Sequence, residues 1–270
     1  QDDRVLDTFN VEGVDSAFST PKEGHGTMSA YAAAGNKEGH DLTYNGIAKG
    51  ADLLLARVTG PDGSLSKVAE ALDWMSQKLD DLDRPVIANH SYGIPLCNAV
   101  SMSPCDTTQT KIARVLNNRP DYQGFYAAGN EATWCGHRLS GITNGITGIN
   151  GDTSSITSGA FRIGGNDAQL YSSHGYGTCV ERGGNMKPDL GTMIPTVVPY
   201  GKGQKDMSTR TGGSAGGTSI ASPIVAGAAA LVASVEGTAE QDVLEDALEE
   251  TAESVRTTQA DIAGFYNARF

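Results

Sequence analysis

Gly212-Gly213-Ser214-Ala215-Gly216-Gly217-Thr218-Ser219-Ile220-Ala221-Ser222-Pro223 runs straight into Ile224-Val225-Ala226-Gly227-Ala228-Ala229-Ala230-Leu231-Val232. A glycine loop meets a segment that is apolar nearly all the way round, which predicts a helix buried inside the protein. Thr218 and Ser219 stand at its mouth. Pro223 is expected in the first turn, where a missing N–H costs little because the first donors have no intrahelical acceptor. A hydroxyl at the positive end of a helix, beside unpaired backbone N–H groups, suits a nucleophile whose reaction generates an oxyanion. The same residues also fit a plain N-cap serine, so the rest of the chain has to decide.

The 270 residues, 39% of them hydrophobic, can build a real core. With no Gly/Ser tract or Pro-rich run between two halves, one α/β domain over 1–270 is expected. The net charge of −12 comes without a basic cluster, which argues against a nucleic-acid partner. The longest apolar run is broken by Gly227 and flanked by polar residues, so it reads as too short to span a bilayer, and no membrane partner is expected. The start, Gln1-Asp2-Asp3-Arg4, lacks a basic and then apolar leader. A secretion signal or pro-segment is therefore expected to have been removed or to lie outside this sequence.

Cys97, Cys105, Cys135 and Cys179 form an even set without a CxxC pair, which disfavours zinc and redox sites. Disulfides are expected, and with them a secreted, periplasmic or extracellular setting. Of the three possible connectivities, the most local pairs Cys97 with Cys105 and Cys135 with Cys179.

Along the chain, 4–7 reads as a strand ending in the Asp7 carboxylate, and the Ala-rich segment from His25 to the closing Gly35 as a helix. Strands are predicted over 52–58, 85–89, 123–128 and 159–164. Apolar residues at helical spacing mark a surface helix over 65–79, a weaker helix covers 111–117, and 238–255 reads as an acidic helix. Residues 131–158 read as loops, and 264–267 as a final strand or turn. Alternating strands and helices imply right-handed crossovers and a parallel sheet, with ligands beyond the carboxyl ends of its strands. Asp7, Ser91 and Asn130 are expected at or just past such ends.

Gly24-His25-Gly26-Thr27, Ala128-Gly129-Asn130 and Gly217-Thr218-Ser219-Ile220-Ala221-Ser222-Pro223, in that order, resemble the subtilisin-like serine peptidases. Val5-Leu6-Asp7-Thr8 is similar to that family's aspartate motif, Ala88-Asn89-His90-Ser91-Tyr92-Gly93 to its substrate-binding strand, and Lys187-Pro188-Asp189 to a segment before its serine loop. The resemblance implies a three-layer fold with a central, mostly parallel sheet and helices on both faces. It also implies a monomeric, secreted endopeptidase acting on polypeptides without a cofactor or metal, from which a pro-segment is removed on maturation.

In the roles that the resemblance implies, His25 takes the Ser219 proton and returns it to the leaving amine, and Asp7 holds the His25 tautomer. Asn130 and the Ser219 N–H donate to the oxyanion. Ser91, Tyr92 and Gly93 pair with the substrate backbone; with Ala127, Ala128 and Gly129 they wall the pocket for the residue before the scissile bond, whose floor is expected within 136–158. The remaining histidines, His40, His90, His137 and His174, read as structural or surface residues.

The front departs from the pattern. Only 18 positions separate Asp7 from His25, fewer than the family usually has, which leaves Asp15 as a competing carboxylate and weakens any calcium loop there. Two other readings stand beside the peptidase. A sedolisin-type enzyme would need Glu and Asp where this chain has His25 and Asn130. A pseudopeptidase would keep the fold as a peptide-binding module.

Overall fold

The computed structural model describes residues 3–10, 24–36, 45–59, 65, 67–93, 105–131, 146–161, 171–177, 179, 186–194, 197–201, 207–211 and 217–253. Its centre is a four-stranded parallel sheet in the order β3-β4-β5-β8, formed by Val86–His90, Tyr122–Ala127, Ile156–Phe161 and Leu190–Met193. A second parallel pair joins β1 (Val5–Phe9) to β2 (Leu53–Ala56). Two short antiparallel pairs join β6 (Gly175–Tyr176) to β7 (Met186–Lys187) and β9 (Val197–Gly201) to β10 (Met207–Thr211).

Both faces of the central sheet are covered, so β4 is buried at every position, as a parallel strand between helix layers should be. Its side chains alternate between the layers. Phe125 points to α4 (Thr218–Glu236) and α5 (Gln241–Glu250), joining Ile156, Leu190, Val225, Ala229 and Leu244. Tyr122 and Tyr126 point the other way, to α2 (Val68–Asp81) and α3 (Thr108–Asn117), joining Leu72, Leu79, Ala113 and Leu116. Phe125 is fully buried, and truncating it to Ala should cost about 3–5 kcal/mol.

The helix after Ser219 is the core element its sequence predicts, with small residues Ala221, Ala226, Ala229 and Ala233 letting it approach the sheet. Two details change. At 19 residues α4 is long and apolar enough to cross a bilayer, so its length does not exclude that; its packing against four strands identifies it as a core helix. Pro223 is the sixth helical residue, beyond the first turn, so its missing N–H leaves the Ser219 carbonyl without its usual intrahelical partner.

Other boundaries move for local reasons. β1 continues through Thr8↔Leu55 and Phe9↔Ala56, which puts Asp7 in mid-strand rather than at its end. α3 starts at Thr108 because the Thr107 hydroxyl caps the Thr110 N–H. β5 starts at Ile156, three residues before the predicted 159, where pairing with Phe125 begins. α5 starts at Gln241, after a turn in which the Thr238 hydroxyl and Ala239 N–H bind the Pro120 carbonyl.

The local cysteine pairing is wrong at both described cysteines. Cys105 is bonded to Cys179 across 74 residues. The sheet explains it: Gly177 bridges Ile146, which leads into a 3₁₀ turn (Gly148–Gly151) packed on α3, and Cys105 lies just before that helix. Proximity here is set by tertiary packing, which sequence separation does not report. Cys97 and Cys135 lie outside the described residues.

Candidate active site

The mouth of α4 is built around Asn130, which follows β4. Its Oδ1 accepts from the Thr218 N–H at 3.0 Å and the Thr218 hydroxyl at 3.1 Å. The Gly129 N–H in turn donates to the Thr218 hydroxyl at 3.0 Å. Gly217 makes this closeness possible, since a Cβ there would lie 2.5 Å from Asn130 Oδ1. With its oxygen committed to α4, Asn130 has its Nδ2 left over. Among the described residues neither that nitrogen nor the Ser219 N–H has an acceptor, so two donors stand together at the positive end of a helix.

Ser219 is half-buried, its hydroxyl 3.4 Å from the Ser91 carbonyl. The Ser91 hydroxyl donates to the Ser219 carbonyl at 2.7 Å. Asn89 Nδ2 donates to Ser91 Oγ at 2.9 Å, and Ser222 Oγ donates to Asn89 Oδ1 at 2.8 Å, which ties the end of β3 to the first turns of α4.

His25 opens α1 (His25–Ala34) and is exposed. Its helix packs on α4 through Met28 and Ile220, and the Ser29 hydroxyl reaches both the His25 carbonyl, at 3.1 Å, and the Ser219 carbonyl, at 3.4 Å. The Ser29 hydroxyl thus links the main chains of His25 and Ser219.

Asp7 stands differently. Its carboxylate accepts from the Thr8 N–H at 2.7 Å and pairs with Lys78 of α2 at 2.5 Å, and the Lys78 hydrogen bond holds it below the usual carboxylate range. Neither this carboxylate nor the Ser219 hydroxyl is bonded to His25. Asp15 lies outside the described residues.

The two expected walls stand at the ends of the paired strands: Ser91-Tyr92-Gly93 follows β3, and Ala127-Ala128-Gly129 begins with the last residue of β4. His90, just before the first wall, is buried between the Tyr92 hydroxyl at 2.9 Å and the Tyr122 hydroxyl at 3.1 Å, and stacks on Tyr126. Burial pushes its imidazole down to about 4. His174, also structural, places Nδ1 3.0 Å from the Ser172 carbonyl. Sequence reasoning missed Asn150, whose Nδ2 donates to Tyr92 O at 2.9 Å and Ala127 O at 2.8 Å. It fell in a stretch without periodicity, and nothing local signals its reach. Among the described residues no group of three or more His, Cys, Asp or Glu could hold a metal ion.

The profile of the subtilase family matches residues 3–265. The chain belongs to the subtilase family. Among curated relatives it is 28% identical over 229 residues to the subtilisin-like serine protease Pen c 1 of Penicillium citrinum, covering 83% of this chain and 45% of that protein. It is 29% identical over 212 residues to the subtilisin-like serine protease Pen ch 13 of Penicillium rubens, covering 78% and 43%. This subtilase spans less than half the length of those relatives. Solved structures show the same fold. Sphericase superposes with a TM-score of 0.65 at 19% identity, covering 92% of this chain and 76% of that one. A cold-adapted subtilisin-like serine proteinase gives 0.58 at 20%, covering 91% and 72%.

Proposed function

We propose that this subtilase is a secreted serine endopeptidase that cleaves polypeptides through Asp7, His25 and Ser219, with residues 1–270 forming one peptidase domain. The observation that carries the reading is the pair of donors at the mouth of α4, Asn130 Nδ2 and the Ser219 N–H, which have no acceptor among the described residues. On this reading both donate to the tetrahedral oxyanion of a substrate attacked by Ser219. Ser219 Oγ attacks the scissile carbonyl as His25 takes its proton. The C–N bond then breaks with that proton passing to the leaving amine. Water, deprotonated by His25, attacks the acyl ester and releases the Ser219 hydroxyl. Polypeptide substrates, removal of a pro-segment on maturation and a monomeric state belong to the same reading, and the Cys105–Cys179 disulfide supports an extracellular setting.

A fluorophosphonate probe should label wild type and not Ser219→Ala, and Asn130→Ala should lower kcat roughly 100- to 1000-fold with little change in KM. Labelling that persists in Ser219→Ala would end the peptidase reading. One observation favours a second reading, a peptide-binding pseudopeptidase: the Asp7 carboxylate is engaged by Lys78 and not by His25. Peptide binding without labelling or turnover would select it.

A further inference from the structure

β3 and β4 are paired up to the rung His90↔Tyr126, and beyond it the two chains part. Ser91 turns to α4, whereas the Ala128 N–H binds the Ser158 carbonyl of β5. The segments expected to flank the substrate side chain are the two arms of this fork. Asn150, from the 3₁₀ turn, stands between them and is 6% exposed. Its Nδ2 donates to Tyr92 O on one arm and Ala127 O on the other, which uses both amide hydrogens. The approach depends on Gly93, where a Cβ would lie 3.0 Å from that nitrogen. Asn150 is itself anchored, its carbonyl accepting the Thr157 hydroxyl at 2.5 Å. Beyond it, between the sheet end and α2 and α3, is a cavity of about 30 Å³ lined by Tyr92, Gly93, Ile149, His90 and Tyr126, space for one or two waters.

The geometry points to Asn150 as a specificity-determining crosspiece that fixes the width of the slot between 91–93 and 127–129 and closes its inner end. The enzyme therefore takes a small residue, Ala or Ser, before the scissile bond and turns away Phe and Leu. A buried donor pair that holds both arms resists spreading, because opening the slot would strand two carbonyls. The inference rests on the peptidase reading and on those two segments being the substrate walls.

The test is kcat/KM on four peptides that differ only in Ala, Ser, Leu or Phe before the scissile bond, for wild type, Asn150→Ala and Asn150→Ser. The ratio between substrates is independent of how much of each variant folds. Wild type should prefer Ala over Phe by about tenfold or more, and both variants should shrink or reverse that ratio by a similar factor. Wild type favouring Phe or Leu, or ratios in the variants within about twofold of wild type, would overturn the inference while leaving the peptidase reading standing. Turnover of none of the four, with no fluorophosphonate label on Ser219, would overturn both.

Discussion

The Ser91 hydroxyl donates to the carbonyl of Ser219 at 2.7 Å, and Pro223 is what leaves that carbonyl open. Residue 223 would ordinarily donate its N–H to residue 219 in an α-helix, and proline has none. The vacancy is filled from outside the helix by Ser91, which Asn89 and Ser222 hold in place. A helix defect thereby becomes a tie between the proposed nucleophile and the strand expected to bind substrate.

Ser91→Ala removes this tie and leaves the Ser219 carbonyl with only the 3.4 Å contact from Ser29. Stability should fall by about 1 kcal/mol, the usual net worth of a hydrogen bond. The larger effect should be on kcat, roughly 10- to 100-fold, because the serine loses its fixed approach. Steady-state kinetics beside thermal unfolding separate the two. A Ser91→Ala enzyme with normal kcat and lowered melting temperature would reduce the contact to packing.

The helix behind Ser219 was legible as a helix surrounded by apolar groups, with its packing on four strands rather than its composition marking it as a core helix, and β4 because an apolar run beside helical segments implies a covered parallel strand. What escaped were features whose partners are far apart in sequence. Asn150 reaches two carbonyls on different strands, and Cys105 finds Cys179 through the bridge from Gly177 to Ile146. Pro223 differs for a simpler reason: a shift of a few residues in the helix start decides whether its missing N–H matters. The apolar run stops at Asp7, which reads as a strand end, yet pairing with β2 carries the strand two residues further.

Lys78 now becomes informative about Asp7. If Asp7 is the orienting carboxylate, Asp7→Asn should lower kcat about 10⁴-fold, the size of loss expected when the histidine tautomer is no longer held. Lys78→Ala should then preserve or raise activity, since it frees the carboxylate for His25. Asp15→Asn should leave kcat unchanged. Active-site titration followed by kcat for the three variants is sufficient, and an active Asp7→Asn beside an inactive Asp15→Asn would move the role to Asp15.

The Cys105–Cys179 bond closes a loop of 74 residues, and on the chain-entropy account its removal should cost about 4 kcal/mol. Peptide mapping without reduction should recover the two cysteine peptides joined. The Cys105→Ser/Cys179→Ser double variant should unfold at lower denaturant and with a steeper slope, because the unfolded chain released from the cross-link exposes more surface. Recovery of Cys105 joined to Cys97 instead would refute the pairing.

The buried His90 and the half-buried Glu245 give the stability profile opposite slopes with pH. His90, enclosed by Tyr92, Tyr122 and Tyr126, is pushed down to about 4 from 6.5 by burial. Between those values the unfolded chain takes up a proton that the folded protein resists. The contribution is complete above pH 6.5 and fades as pH falls through the window, by about 3 kcal/mol at pH 4. Glu245 is pushed up to about 7 from 4.5, first by burial and then by the charge of Asp189, with Glu249 adding to it and Gln241 and Lys187 opposing. Here the folded state binds the extra proton, so stability is greatest below pH 4.5 and is lost as pH rises to 7. Melting curves from pH 4 to 8, in a Ser219→Ala background to prevent self-digestion, resolve the two. Glu245→Gln should raise the melting temperature at pH 8 and do little at pH 4. His90→Gln should flatten the acid limb while lowering stability at neutral pH, because Tyr92 and Tyr122 lose their shared partner. If the acid limb in His90→Gln is as steep as in wild type, the loss at low pH arises elsewhere.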